Sequence, residues 1–189
     1  MLLGAAVLIP LGSGSAAEMG GAATVPPLVA NGGFEAALAG WHGGTALDVD
    51  RTVVYDGTAS LRVHSEVFAE SCGPVQYVDL KPNTRYAVSF AVKVQDLVPN
   101  AKDRYYRYGS CGAFLRFRGG VGVNQFLPGR CLTGTQRWDL YACSVETAAG
   151  LAPPQRCYLQ PAIRQATGTA WFDCITVREL PARPGSGAP

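Results

Sequence analysis

The sequence predicts an all-β fold, a jelly-roll β-sandwich, on three observations. Strand signals recur in seven separate stretches, with apolar and polar residues alternating at a period of two where faces can be assigned. Turn formers divide those stretches, as in "YDGT", "KPNT" and "ATGT". Helical periodicity is nearly absent, and no internal repeat replaces it. Antiparallel strands with one apolar and one polar face bury the apolar face by stacking sheet on sheet.

In chain order, residues 1–17 read as a signal peptide. "LLGAAVLIPLG" is an apolar run too short to cross a bilayer, and "SGSAA" offers small residues for cleavage after Ala17. Only Met1 stands where basic residues usually lead such a segment. Residues 18–27 are a small-residue linker, 28–180 the folded sandwich, and 181–189 ("PARPGSGAP") a disordered tail. Within the sandwich the strands are "TASLRVHS", "VQYVDL", "RYAVSFAVKV", "GAFLRFRG", "WDLYACSVET", "RCYLQPAIR" and "AWFDCITVREL". Alternation assigns their faces. Tyr86, Val88, Phe90 and Val92 share one side, against Ala87, Ser89, Ala91 and Lys93. Leu115 and Phe117 oppose Phe114, Arg116 and Arg118, while Cys157, Leu159 and Ile163 oppose Tyr158, Gln160 and Arg164.

Composition narrows the function classes. A chain of 189 residues suits one domain, and a domain of that size buries roughly 70% of its unfolded surface. Charged residues are 16% and hydrophobic ones 48%, which excludes a disordered polyelectrolyte. A net charge of +2 is too small for a dedicated nucleic-acid binder. Cys72, Cys111, Cys131, Cys143, Cys157 and Cys174 form no CxxC pair, so a zinc site of the usual spacing is not expected. Their even number predicts three disulfides in an oxidising compartment, with six buried thiols as the alternative. Spacing does not choose among the possible pairings.

Several motifs carry a resemblance. "LVANGGFEAALAGW" (28–41), "DGTASLRV", "QYVDLKPNTRYAVSFAVKV", "GTQRWDLY" and "GTAWFD" (168–173) stand in the order found in family 4/9 carbohydrate-binding modules. The resemblance spans essentially the whole folded unit. It implies a galactose-binding-domain-like jelly roll that binds plant or microbial polysaccharide, generally as an appendage of a glycoside hydrolase. It also implies a structural calcium ion held by Glu35 and Asp173 with main-chain carbonyls, a donor set of hard oxygens that suits calcium. Two turn-capping carboxylates are the other reading of the same pair. Cys174 departs from the family, which usually has an acid or amide there. Trp41, Trp138 and Trp171 fall on positions that the family usually buries.

Catalytic chemistry has little support. His42 and His64 have no motif tying them to a nucleophile, and no G-x-S-x-G is present. "YGSCG" reads as a turn, "LDVDR" as a solvated turn, and the glycine-rich "RGGVGVNQF" lacks the lysine and helix of a phosphate cradle. A binding face has more. Sugars are held by aromatic rings and by planar polar groups that bond neighbouring hydroxyls. "KDRYYRYGSCG" (102–112) interleaves Tyr105, Tyr106 and Tyr108 with Arg104 and Arg107. Gln76, Arg116, Arg118, Gln160 and Arg164 are the candidate polar floor. Residues 102–118 hold five Lys/Arg against one Asp, which leaves an acidic polysaccharide open. The expectation is a secreted, monomeric, non-catalytic module for a polysaccharide or cell-wall glycan, with no nucleic-acid partner and no membrane partner after signal removal. The alternatives are an extracellular adhesive domain that contacts protein, and an accessory fragment of a glycoside hydrolase.

Overall fold

The computed structural model describes residues 27–45, 47–119, 123–148 and 155–181. The expected signal peptide, nearly all of the linker and residues 182–189 of the tail lie outside the described residues. The described residues form nine strands: β1 (Leu47–Asp50), β2 (Ser60–Ser65), β3 (Gln76–Leu80), β4 (Arg85–Pro99), β5 (Gly112–Gly119), β6 (Val123–Leu132), β7 (Gly134–Glu146), β8 (Gln155–Arg164) and β9 (Ala166–Glu179). A short 3-10 turn, Tyr106–Tyr108, lies in the loop before β5. Neighbouring strands pair antiparallel, in a five-stranded sheet ordered β1-β2-β9-β4-β7 and a four-stranded sheet ordered β3-β8-β5-β6. This is the jelly-roll sandwich that the alternation predicts.

The alternating residues meet between the sheets. Val88, Phe90, Val92 and Phe172 of one sheet and Leu115, Phe117, Cys157 and Leu159 of the other are buried in a single cluster. Fully burying side chains of this size contributes about 1.5–3 kcal/mol each. The segment before β1 runs beside β9. Its Leu28 N–H donates to Val177 O, and Ile175 N–H donates to Gly32 O. A Cβ on Gly32 would lie 2.0 Å from Ile175 O, so only glycine permits this approach. The next side chain but one, Phe34, is buried against Trp41 with ring centroids 5.3 Å apart.

Four expectations change. "LDVD" is an edge strand, not a turn: Leu47 and Val49 pack against the core, while Asp50 Oδ1 accepts the N–H groups of Thr52 and Val53. β6 runs through the glycine- and proline-rich stretch at the opposite edge, the place where a sheet tolerates proline. Trp171 is buried as expected, but on the outer face of its sheet: it pairs in register with Arg62 and Lys93, is covered by Lys93 at 5.1 Å and donates Nε1–H to Asp50 Oδ2 at 2.8 Å. Trp138 is only half-buried and packs on Tyr55, 5.7 Å away, not in the core.

The cysteines are the fourth change. All six are free thiols in the structure, and no disulfide joins them. Cys157 faces the core from the four-stranded sheet, and Cys174 sits in the other sheet at a left-handed residue of β9, φ 50°. Burial pushes the Cys131 thiol up to about 12 and those of Cys143 and Cys174 to about 11. These thiols are protonated at neutral pH and are poor nucleophiles or metal ligands there.

Candidate functional site

The outer face of the four-stranded sheet collects most of the candidate floor. β5 presents Arg116 and Arg118 there and β8 presents Tyr158, Gln160 and Arg164, in a register that sets Arg116 opposite Gln160 and Arg118 opposite Tyr158. β3 adds Tyr77, which pairs with Tyr158 in register, with ring centroids 6.3 Å apart. Tyr77 is 49% exposed. Arg118 Nη1 donates to the Tyr158 hydroxyl at 3.5 Å, and the Arg116 guanidinium lies 5.9 Å from the same ring.

The tyrosine loop borders this face at one end. Phe114 points outward from β5 yet is fully buried, because it joins Cys131 and Ala162 in a small second cluster. Beside that cluster the Tyr105 ring lies 5.3 Å from the Arg164 guanidinium and 4.5 Å from that of Arg104. Arg164 donates to Ser110 O at 3.2 Å and to Glu70 Oε2 at 3.4 Å. Together these groups line a depression of about 550 Å³ that contains Tyr105, Ser110, Glu70, Arg116, Arg118 and Arg164. Burial lowers the pKa of Arg116, and the neighbouring charges of Arg118 and Arg164 lower it further.

The expected site is therefore divided. Tyr106 and Tyr108 turn the other way, into a second cavity of about 760 Å³ with Arg107, Arg130, Gln136 and Tyr141 between the loop, β6 and β7. Gln76 is not on the floor. It points inward, is buried, and its amide is held by Ala30, with N–H to Oε1 at 2.7 Å and Nε2 to O at 2.8 Å. Gln160 remains half-buried on the outer face and bonds Gly73 O at 3.4 Å. Sequence reasoning left out Tyr77 and Tyr158 as contact residues, although the alternation of β8 already placed Tyr158 beside Gln160 and Arg164. A tyrosine on a solvent-facing strand position was the available signal.

Glu35 and Asp173 converge on one turn. Glu35 Oε1 accepts the Thr58 N–H at 2.8 Å and its Oε2 the Thr58 hydroxyl. Asp173 Oδ2 accepts the N–H groups of Tyr55 and Asp56 at 3.1 and 3.2 Å, and Oδ1 accepts that of Cys174 at 2.7 Å. Asp173 is 0% exposed. Burial raises its pKa above the ordinary 3.8 despite those donors, and no ion pair among the described residues includes it. A buried carboxylate held by N–H groups without an ion pair, on the same turn that the exposed Glu35 caps, offers hard oxygens to a cation. No group of three His, Cys, Asp or Glu side chains is assembled for a metal among the described residues. A calcium ion here would thus draw most of its six to eight oxygens from main chain.

On the opposite sheet, His64 Nδ1 lies 2.9 Å from Thr169 Oγ1 and its Nε2 3.7 Å from Glu66. Neither contact reaches a nucleophile activated for attack. The depression on the four-stranded sheet offers guanidinium, hydroxyl and amide donors with aromatic carbon around them, which is equipment for holding a polyhydroxylated ligand.

Comparison with known proteins agrees with this chemistry. Residues 26–108 match the family 4/9 model described as "Carbohydrate binding domain". No curated protein matches the chain. Among solved structures, a "Family 16 Carbohydrate Binding Module-2" has a TM-score of 0.53 at 21% identity, over 79% of this chain and 98% of that one. TmCBM61, solved with beta-1,4-galactotriose, has a TM-score of 0.55 at 14% identity, over 82% of this chain and 100% of the other. A cyclase from Fischerella sp. TAU has a TM-score of 0.54 at 17% identity, over 85% and 98%. At these identities the likeness is one of fold, and the fold serves an enzyme as well as binding modules. The resemblance read from the motifs holds over residues 26–108, which match the family 4/9 carbohydrate-binding domain; "GTQRWDLY" and "GTAWFD" lie beyond that match, and the described chain has the jelly-roll sandwich of carbohydrate-binding modules.

Proposed function

We propose that the protein is a non-catalytic module that holds a polysaccharide or cell-wall glycan across the outer face of its four-stranded sheet. One observation carries this reading: two tyrosines, Tyr77 and Tyr158, stand on that face beside Arg116, Arg118, Gln160 and Arg164. Tyr77 is exposed and Tyr158 half-buried beside it, and rings next to planar donors are what a sugar requires. The match of residues 26–108 to a carbohydrate-binding family supports the same reading. The protein acts as a monomer, and Glu35 and Asp173 hold a structural calcium ion remote from the sugar.

Affinity electrophoresis through gels containing xylan, β-glucan, galactan or polygalacturonate tests the proposal. At least one polysaccharide retards the wild type. Tyr77→Ala and Tyr158→Ala each weaken that retardation about tenfold, or about 1.4 kcal/mol, while the melting temperature stays close to wild type. Unchanged mobility in every gel, or retardation that both variants keep, removes this reading and leaves the adhesive alternative.

A further inference from the structure

Three guanidiniums, those of Arg116, Arg118 and Arg164, open into one depression. Among the described residues a single carboxylate lines it, that of Glu70, whose side chain is 81% exposed and pairs with Arg164 at 3.4 Å. Like charges this close repel one another, and partial burial strengthens the repulsion because water screens it less. The aromatic rings beside them also hold the cations. Tyr105 lies under Arg164 and Arg104, and Tyr158 lies against Arg116 and bonds Arg118. Such contacts hold the flat guanidinium forks in fixed planes. A site for neutral sugar has no need of a surplus of cations held in place. A planar, bidentate donor fixed in advance is what an oxyanion requires.

Resting on the carbohydrate-binding reading, we infer that the ligand of this face is an anionic polysaccharide, whose pyranose-borne carboxylate or sulfate groups are taken by Arg116 and Arg118. Arg164 acts as a positioning residue: its side chain is only 13% exposed and is tied to Ser110 O and Glu70. The second cavity, with Arg107 and Arg130, lies along the same loop and would extend the track of positive charge.

Affinity electrophoresis of the full chain distinguishes the outcomes. The probes are polygalacturonate, its fully methyl-esterified form, κ-carrageenan, neutral xylan and β-glucan, and a single-stranded DNA. Polygalacturonate or κ-carrageenan binds at least about tenfold more tightly than the esterified and neutral polymers. That advantage falls between about 50 and 200 mM salt, as charge pairing with a polyanion does. Retention by the first alone assigns a carboxylate, and by the second alone a sulfate. The exposed Arg118→Gln, which leaves the core untouched, loses most of the advantage, and Arg116→Gln loses it further. Equal or tighter binding of xylan or β-glucan without salt dependence overturns the inference and leaves the carbohydrate reading standing. Failure to bind any polysaccharide overturns both. Equal retention by single-stranded DNA also overturns the inference, since the site would then read charge without sugar.

Discussion

Asp173 concentrates the electrostatics of the fold in one side chain. Three N–H groups hold it, yet burial still favours its protonated form. A carboxylate whose folded pKa is raised is a liability when ionised, and that liability shrinks as pH falls toward the raised value. With a chelator present, the Asp173 contribution therefore improves on acidification from pH 7. With calcium bound the sign reverses, because protonation expels the ion and the stabilisation RT ln(1 + [L]/Kd) is lost. Melting curves at several pH values, with calcium and with chelator, read this crossover. Asp173→Asn abolishes the calcium effect and leaves sugar binding in place. Asp50 behaves oppositely. Burial opposes its ionisation, but bonds from Trp171 Nε1–H and Thr52 outweigh burial and hold its pKa well below the carboxylate range. Its stabilisation is present above the ordinary 3.8 and is lost only in strong acid. Asp50→Asn costs about 1–3 kcal/mol at neutral pH by urea denaturation. Gly57→Ala is also destabilising: φ is 72°, and the new Cβ would meet Glu35 Oε1 at 2.1 Å.

At the scale of elements, the tyrosine loop depends on what lies beneath it. Phe114, Cys131 and Ala162 form a small cluster outside the main core, and the Cys131 N–H donates to Gly109 O at the end of that loop. Phe114→Ala removes that support and costs about 3–5 kcal/mol in urea denaturation, in the range of other buried phenylalanine truncations. The thiols are checked at this scale too. Ellman titration of the native protein at neutral pH is slow, and denaturation exposes six reactive groups, as six free thiols, four buried and two half-buried, require. Strands with strict alternation, such as β4 and β8, were legible in the sequence because burial on one face is itself the signal. β6 was not, since Gly129 and Pro128 mask an edge strand that has one neighbour to satisfy. β1 was not, since Asp48 and Asp50 read as a turn when their outward face is unknown. Gln76 was misplaced because a buried amide satisfied by Ala30 looks like a surface amide in sequence. The split of Tyr105 from Tyr106 and Tyr108 arises from one 3-10 turn, whose sequence YRY carries no signature of its direction.

For the whole molecule, architecture does not by itself decide function. The same sandwich is found in carbohydrate-binding modules and in a cyclase, so the face, not the fold, must carry the functional claim. The four-stranded face carries the Tyr77–Tyr158 pair and the cations of β5 and β8 in one depression-bearing surface. On the other sheet Lys93 covers Trp171, and Asp50 takes the indole N–H. Backbone amide chemical shifts, recorded during titration with the polysaccharide fragment that retards the protein most, locate the bound ligand directly. The largest shifts are expected in β3, β5 and β8 around Tyr77, Arg116, Arg118, Tyr158 and Gln160, with smaller ones in the 102–112 loop and none around Glu35 and Asp173. Shifts confined to the five-stranded sheet, or none at saturating fragment, would contradict a glycan site on the four-stranded face.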